Sequence, residues 1–317
     1  MPSFSCTVEN NIPPELRLDR FTAEYLKILS RSQIKARNLK ATLNGKPVKI
    51  SRILKAGDFL ELLWDENEST FLIPQNIPLD IVYEDQRVIV VNKAQGMVVH
   101  PGAGNRQGTL ANALLYRKLE KTGVGLNDDI FKEQGLRPGI VHRLDKDTSG
   151  LIIAAWDNEA HVFLADQFKA RKVKKTYAAL VKGCPKETSG CIDTGIVRSR
   201  RDRKIFTVSQ YEGRRSITFY RLVRTFGNYS LLLVRPKTGR THQIRVHMKY
   251  IGNPILGDPI YGASNQQNKI NSLMLHAKRL SLVLPCEISG NNKYKTFRTK
   301  LPERFFDFIN ENQGWIL

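Results

Sequence analysis

HRLDKDTSGL, residues 142–151, sets two cations, an acid, a third cation and a second acid ahead of a Thr-Ser-Gly turn. The segments on either side, 139–144 and 151–156, read as buried strand. A chain that breaks buried strand with charge needs those charges, and the two acids have different uses. Asp147, followed by Thr-Ser-Gly, fits a turn-maker, because Asp and Ser side chains bond nearby backbone N–H groups. Asp145 ends the first strand between Arg143 and Lys146. A carboxylate among cations stays ionised at neutral pH, which suits a nucleophile or electrostatic base and not a general acid.

The whole chain shares this cationic character. Fifty Lys and Arg against thirty Asp and Glu give its 317 residues a formal net charge of +20. So much like charge opposes a compact state and calls for an anionic partner, for which nucleic acid is the best candidate. A hydrophobic fraction of 41% points to a folded chain. No apolar run approaches the roughly 20 residues of a membrane span, and residues 1–11 do not resemble a secretory signal. Cys6, Cys184, Cys191 and Cys286 lack CxxC spacing and read as reduced thiols of a cytoplasmic protein.

The cations cluster. Between residues 31 and 55 lie Arg31, Lys35, Arg37, Lys40, Lys46, Lys49, Arg52 and Lys55, with no acid. An acid-free basic surface points to phosphate. Leu16, Leu18, Phe21, Tyr25, Leu26 and Leu29 have helical spacing. Ser30 or Ser32 can cap a second helix carrying Ile34 and Leu39. Asn44-Gly45 marks a hairpin tip, and 59–64 a closing strand. These features divide the chain into a small domain at 15–64, a polar linker at 65–78 and a larger domain at 79–317. In the larger domain, strand-like runs at 88–91, 139–144, 151–156, 176–181, 216–221 and 230–234 mix with helices at 109–119, 159–171 and 302–310. Strand and helix do not alternate regularly, which predicts an α+β fold with a mixed, largely antiparallel sheet and a central cleft.

Three further stretches carry potential chemistry. In KTGRTHQIRVH, residues 237–247, a strand at 240–247 would place Thr241, Gln243, Arg245 and His247 on one face. A partly buried Arg there requires an acid, and Asp145 would serve. In FKARKVKKTYAALVKG, residues 168–183, Tyr177 is either core or a ring that stacks on an exposed base. In NKAQGMVVHPGAGNRQG, residues 92–108, the glycine spacing is a poor dinucleotide fingerprint and a better Gly-rich turn near the cleft. The six histidines show neither HxxxH nor HExxH spacing, so no metal site is expected. Asp145 and Asp147 do not suit a glycosidase pair, because the surrounding cations oppose the raised pKa that one member would need.

NKAQGMVVHPG, HRLDKDTSGL, KKTYAALVKG, GRTHQIRVH, IGNPILGDPIYG and LMLHAKRL together resemble the RluA/RluD family of RNA pseudouridine synthases, and residues 15–64 resemble an S4-like RNA-binding domain. Ala94 departs from the Pro usual after NK. The resemblance implies an isomerase that needs no cofactor and no metal and acts on uridine in RNA. Its closest implied substrate is large-subunit ribosomal RNA, with other ribosomal sites and transfer RNA as alternatives. It implies Asp145 as the catalytic acid, Arg245 as its partner and Tyr177 against the target base. Arg143 would enter the RNA beside the flipped base, with His142 next to it in substrate binding, and the enzyme would be a monomer. The competing reading is a non-catalytic RNA-binding or ribosome-assembly protein. Asp145 separates the two, since binding alone gains nothing from an acid facing phosphates.

Overall fold

The structure is a computed structural model and describes residues 1–10, 12–65, 72–102, 104–122, 139–199, 202, 205–262, 270, 272–285 and 294–312. The chain divides into two compact units, Met1–Phe71 and Leu72–Leu317.

The first unit is an antiparallel sheet in the order β1 (Ser3–Thr7), β4 (Phe59–Leu63), β2 (Lys40–Leu43), β3 (Lys46–Val48). Leu60 and Leu62 are fully buried between outward-facing Phe59, Glu61 and Leu63, the period-2 pattern of a one-faced sheet. Asn44 and Gly45 both have positive φ, 52° and 79°, as a type I′ hairpin turn requires. The first predicted helix is shorter than its apolar spacing suggests. An α-turn, α1 (Leu18–Arg20), runs into a π-helical turn at Phe21–Tyr25, and Thr22 Oγ1 donates back to the Leu18 carbonyl at 2.9 Å. Ser30 caps α2 (Arg31–Ala36): Gln33 N–H donates to its hydroxyl, and the Gln33 side chain accepts from Ser30 N–H. Lys40 and Lys46 are exposed. Arg31 is mostly exposed and 3.7 Å from Asp19, and Arg37 is half-buried. The side chain of Lys35 and the thiol of Cys286 lie outside the described residues.

The second unit is built on ten strands: β5 (Ile81–Glu84), β6 (Val88–Lys93), β7 (Ser149–Ala155), β8 (Lys174–Lys182), β9 (Ser189–Arg198), β10 (Phe206–Ser209), β11 (Arg214–Phe226), β12 (Tyr229–Pro236), β13 (Leu275–Val283) and β14 (Tyr294–Arg298). Their order is β10-β9-β11-β12-β8-β13-β7-β6-β5, with β14 on β13. Among the described residues, every strand pairing of this sheet is antiparallel except β7 with β13. Four helices among the described residues accompany the sheet: α3 (Leu110–Thr122), α4 (Asn158–Lys169), α5 (Gln243–Tyr250) and α6 (Glu303–Asn312). This is the expected α+β class with a mixed, largely antiparallel sheet. No helix among the described residues is long and apolar enough to cross a membrane.

Two expected strands are not strands. Residues 139–144 make one bridge, Ile140 to Ala154, plus a bond from Ala155 N–H to the Gly139 carbonyl. The next ladder position is taken by a side chain: Ile153 N–H donates to Nε2 of His142 at 3.0 Å. The imidazole replaces a strand carbonyl, and the main chain is free to leave the sheet. Residues 243–250 form α5 despite their β-branched Ile and Val, because tertiary contacts outweigh a weak intrinsic preference. Buried Gln243 pins the helix start. Its carbonyl accepts from Thr238 Oγ1 (2.7 Å) and Arg240 N–H (3.0 Å), and its amide donates to the Ile217 carbonyl (3.0 Å) and Thr218 Oγ1 (2.9 Å).

The parallel pairing is short, Ser149 with His276 and Gly150 with Ala277. Gly150 has φ +114°, and a Cβ there would sit 2.5 Å from both the nitrogen and the oxygen of Ala277. Gly150→Ala should therefore part β7 from β13. A loss of about 3 kcal/mol in urea unfolding is expected, against tenths for an exposed strand position.

Candidate active site

Asp145 sits on the loop that enters β7. Thr148 N–H donates to its carbonyl at 3.1 Å and closes the turn. Asp147 occupies that turn, yet its carboxylate makes no hydrogen bond among the described residues, so the expected side-chain cap is absent. A buried lysine does the bracing instead. Lys93, at the end of β6 and 1% exposed, donates from Nζ to the carbonyls of Ala94 (2.8 Å), Met97 (2.9 Å) and Lys146 (3.1 Å). Burial draws its pKa down to about 8 against the opposing pull of Asp147 and Asp145. Gly96 N–H also donates to Lys146, and the Gln95 amide to the Asp147 carbonyl. The NKAQG stretch thus underpins the acidic loop. Ala94 takes part only through its carbonyl, so the missing Pro leaves this bracing intact.

The loop forms one wall of a cleft of about 510 Å³. Among the described residues, seven Lys and Arg line the cleft, including Arg143, Lys175, Arg240 and Arg245, against a single carboxylate, Asp145. The sheet supplies Tyr177 from β8, and α5 supplies Arg245.

Arg245 was expected to pair with Asp145, and its principal partner is Asp258. Nε and Nη2 donate to the two Asp258 oxygens, each at 2.7 Å, while Nη1 reaches Oδ2 of Asp145 at 3.4 Å. Side-chain exposure falls from 21% at Asp145 through 4% at Arg245 to 0% at Asp258. Burial opposes both charges of the inner pair. The mutual bonds, with Ile260 and Tyr261 N–H donating to Asp258, more than offset it, raising the Arg245 pKa and lowering that of Asp258. The acid of GDPIYG is a site residue that sequence reading missed. A buried Arg with one half-exposed acid in view was the available signal that a second acid was needed.

Helical geometry also brings in His242, which a strand would have turned away. Residues i and i+3 share a helix face, so His242 stands beside Arg245 with Nε2 at 4.0 Å from Oδ2 of Asp145. Its φ of 55° and ψ of 16° are left-handed, a conformation that costs a non-glycine residue about 1 kcal/mol.

The remaining expected residues separate. Tyr177 lines the cleft and is 9% exposed. Burial, and then the charge of Asp145, raises its pKa, so its phenol stays protonated. Arg143 is exposed on the cleft wall and makes no ion pair among the described residues. His142 also touches the cleft, but its ring stacks on Phe168 at 4.4 Å and accepts Ile153 N–H, which makes it a loop anchor.

A family model described as RNA pseudouridylate synthase matches residues 87–250, from β6 through the whole of α5. Over 310 residues the chain is 43% identical to the ribosomal large subunit pseudouridine synthase D of Borreliella burgdorferi, covering 96% of this chain and 91% of that one. The chain belongs to the RNA pseudouridylate synthase family. It is also 37% identical over 295 residues to an uncharacterized RNA pseudouridine synthase of Bacillus subtilis, covering 92% and 93% of the two chains. The solved human RNA Pseudouridylate Synthase Domain Containing 4 matches with a TM-score of 0.57 at 26% identity, over 74% of this chain and 92% of that one. The N-terminal unit lies outside the family match.

Three histidines around this site are held neutral by burial: His142 with a pKa near 3, and His247 and His276 near 4. In the unfolded chain all three protonate near 6.5. Between pH 6.5 and 4 the unfolded state therefore binds more protons, and stability falls on acidification by up to about 1.4 kcal/mol per pH unit for each histidine. Urea unfolding at pH 7, 6 and 5 should show this decline. His276→Asn should make the decline shallower.

Proposed function

We propose that the protein isomerises uridine to pseudouridine in large-subunit ribosomal RNA, with Asp145 as the nucleophile or base that opens the glycosidic bond. One observation carries this reading: among the described residues the cation-lined cleft has a single carboxylate, and a buried Arg245–Asp258 pair reaches that carboxylate through Nη1. Phosphates account for the cations, whereas the acid is costly to RNA binding and useful only for chemistry at the sugar or base. In the reaction the bond from N1 to C1′ breaks and the uracil turns. A bond from C5 to C1′ forms, the C5 proton leaves and N1 gains one, so nothing external is consumed. The protonated phenol of Tyr177 suits a ring that stacks against the uracil better than a base for the C5 proton. Exposed and unpaired Arg143 suits entry into the RNA to hold the target nucleotide out. The match to a ribosomal large subunit pseudouridine synthase supports the ribosomal substrate. The same reading has the enzyme acting in the cytoplasm as a monomer, with the basic first unit as an S4-like RNA clamp.

Given a large-subunit ribosomal RNA transcript, the wild-type protein should generate pseudouridine detectable by chemical mapping. Asp145→Asn should lower the rate by about 10² to 10⁴-fold while RNA affinity stays within about twofold. No product from the wild-type protein on ribosomal or transfer RNA would reverse the assignment. For the clamp, Lys40→Ala with Lys46→Ala should make the slope of log affinity against log salt shallower by about one to two units.

A further inference from the structure

The two oxygens of Asp145 are not equivalent. Arg245 Nη1 approaches Oδ2 at 3.4 Å and His242 Nε2 approaches the same oxygen at 4.0 Å. Oδ1 has no hydrogen bond among the described residues. Whether His242 points a proton or a lone pair at Oδ2 depends on its other nitrogen, Nδ1, which lies 2.9 Å from the Tyr261 hydroxyl.

That hydroxyl settles the tautomer. Tyr261 is 2% exposed, and its oxygen already accepts Phe206 N–H at 2.9 Å. Its single hydrogen must go to an acceptor, and Nδ1 of His242 is the one within reach. With Nδ1 accepting, the proton of the neutral ring is on Nε2. Burial favours that neutral ring against the pull of Asp145. Hydrogen bonds run from the β10 backbone through Tyr261 to His242, whose Nε2 stands 4.0 Å from the carboxylate. Two edge-on ring contacts hold the imidazole plane, Phe206 at 5.8 Å and Tyr261 at 5.5 Å. His242 holds a left-handed backbone at the same place where its Nε2 faces Asp145 at 4.0 Å.

We propose that His242 is a positioning residue that presents its Nε2 proton to Oδ2 of Asp145, so that Oδ2 is held by two donors and Oδ1 is reserved for the uridine. The 4.0 Å separation shortens to a hydrogen bond when substrate binds, as catalytic hydrogen bonds commonly do. Arg245 supplies charge and His242 supplies direction, in that a planar ring fixed at three points keeps the carboxylate from rotating.

This inference rests on the proposed activity, and the test separates the two. Wild type, Asp145→Asn, His242→Ala, His242→Gln and Tyr261→Phe are assayed together for pseudouridine formation in the same ribosomal RNA transcript. His242→Ala should lose about 30-fold in kcat with KM within about twofold of wild type, since the contact matters in the reaction and not in docking. His242→Gln, whose amide nitrogen reaches the place of Nε2, should recover to within about fivefold of wild type. Tyr261→Phe should lose about tenfold, and NMR of the ring nitrogens should show His242 no longer locked with its proton on Nε2. A His242→Ala enzyme with wild-type kcat, or one whose KM rises at constant kcat, overturns the proposal. So does a Gln variant no better than Ala. An inactive wild-type enzyme would instead overturn the activity on which it rests.

Discussion

A fully buried ion pair, Arg245 with Asp258, is the constraint around which the catalytic unit is arranged. A buried guanidinium is tolerable only when its donors are used, and Asp258 takes two of them through both of its oxygens. The remaining nitrogen points outward at Asp145. Charge is thus graded from a wholly enclosed acid, through the arginine, to a carboxylate at the edge of solvent. The inner acid compensates the cation, so the outer one is held by a single longer contact of 3.4 Å. A simple two-member pair would have tied the Asp145 carboxylate to its own counter-ion.

The supports of this arrangement come from distant parts of the chain. Lys93 from β6 grips the carbonyl of Lys146. Gln243 fastens the start of α5 by four hydrogen bonds, two to β11 and two from Thr238 and Arg240. His142 substitutes for a strand carbonyl and lets the acidic loop leave the sheet. Lys93 and His142 direct their bonds at backbone, and Gln243 divides its four between backbone and threonine hydroxyls, the form in which satisfied polar groups add rigidity to a core.

What could be read beforehand was what local sequence controls. The Asn44-Gly45 turn, the Ser30 cap and the apolar runs of β6, β7 and β8 need only near neighbours. Asp145 stood out because its cationic neighbours are adjacent in the chain. The stretch around Arg245 was misread because Ile244 and Val246 favour strand, and that error put His242 and Arg245 on opposite faces. Asp258 and Lys93 were missed for a different reason. Their roles depend on groups that only the fold brings close, an arginine thirteen residues away and a carbonyl fifty-three residues away.

The parallel contact of β7 with β13 spans just two residue pairs. On one side of it lie β7, β6 and β5, from which the loop bearing Asp145 departs. On the other lie β13, β8 and the strands beyond, which carry Tyr177 and support α5. Asp145 and Arg245 therefore belong to opposite halves of one sheet, joined at a narrow seam. The distance between them is a measure of how those halves are set against each other. An RNA that grips both halves at once acts on that distance directly, which makes the seam a place where substrate shape can be converted into catalytic alignment.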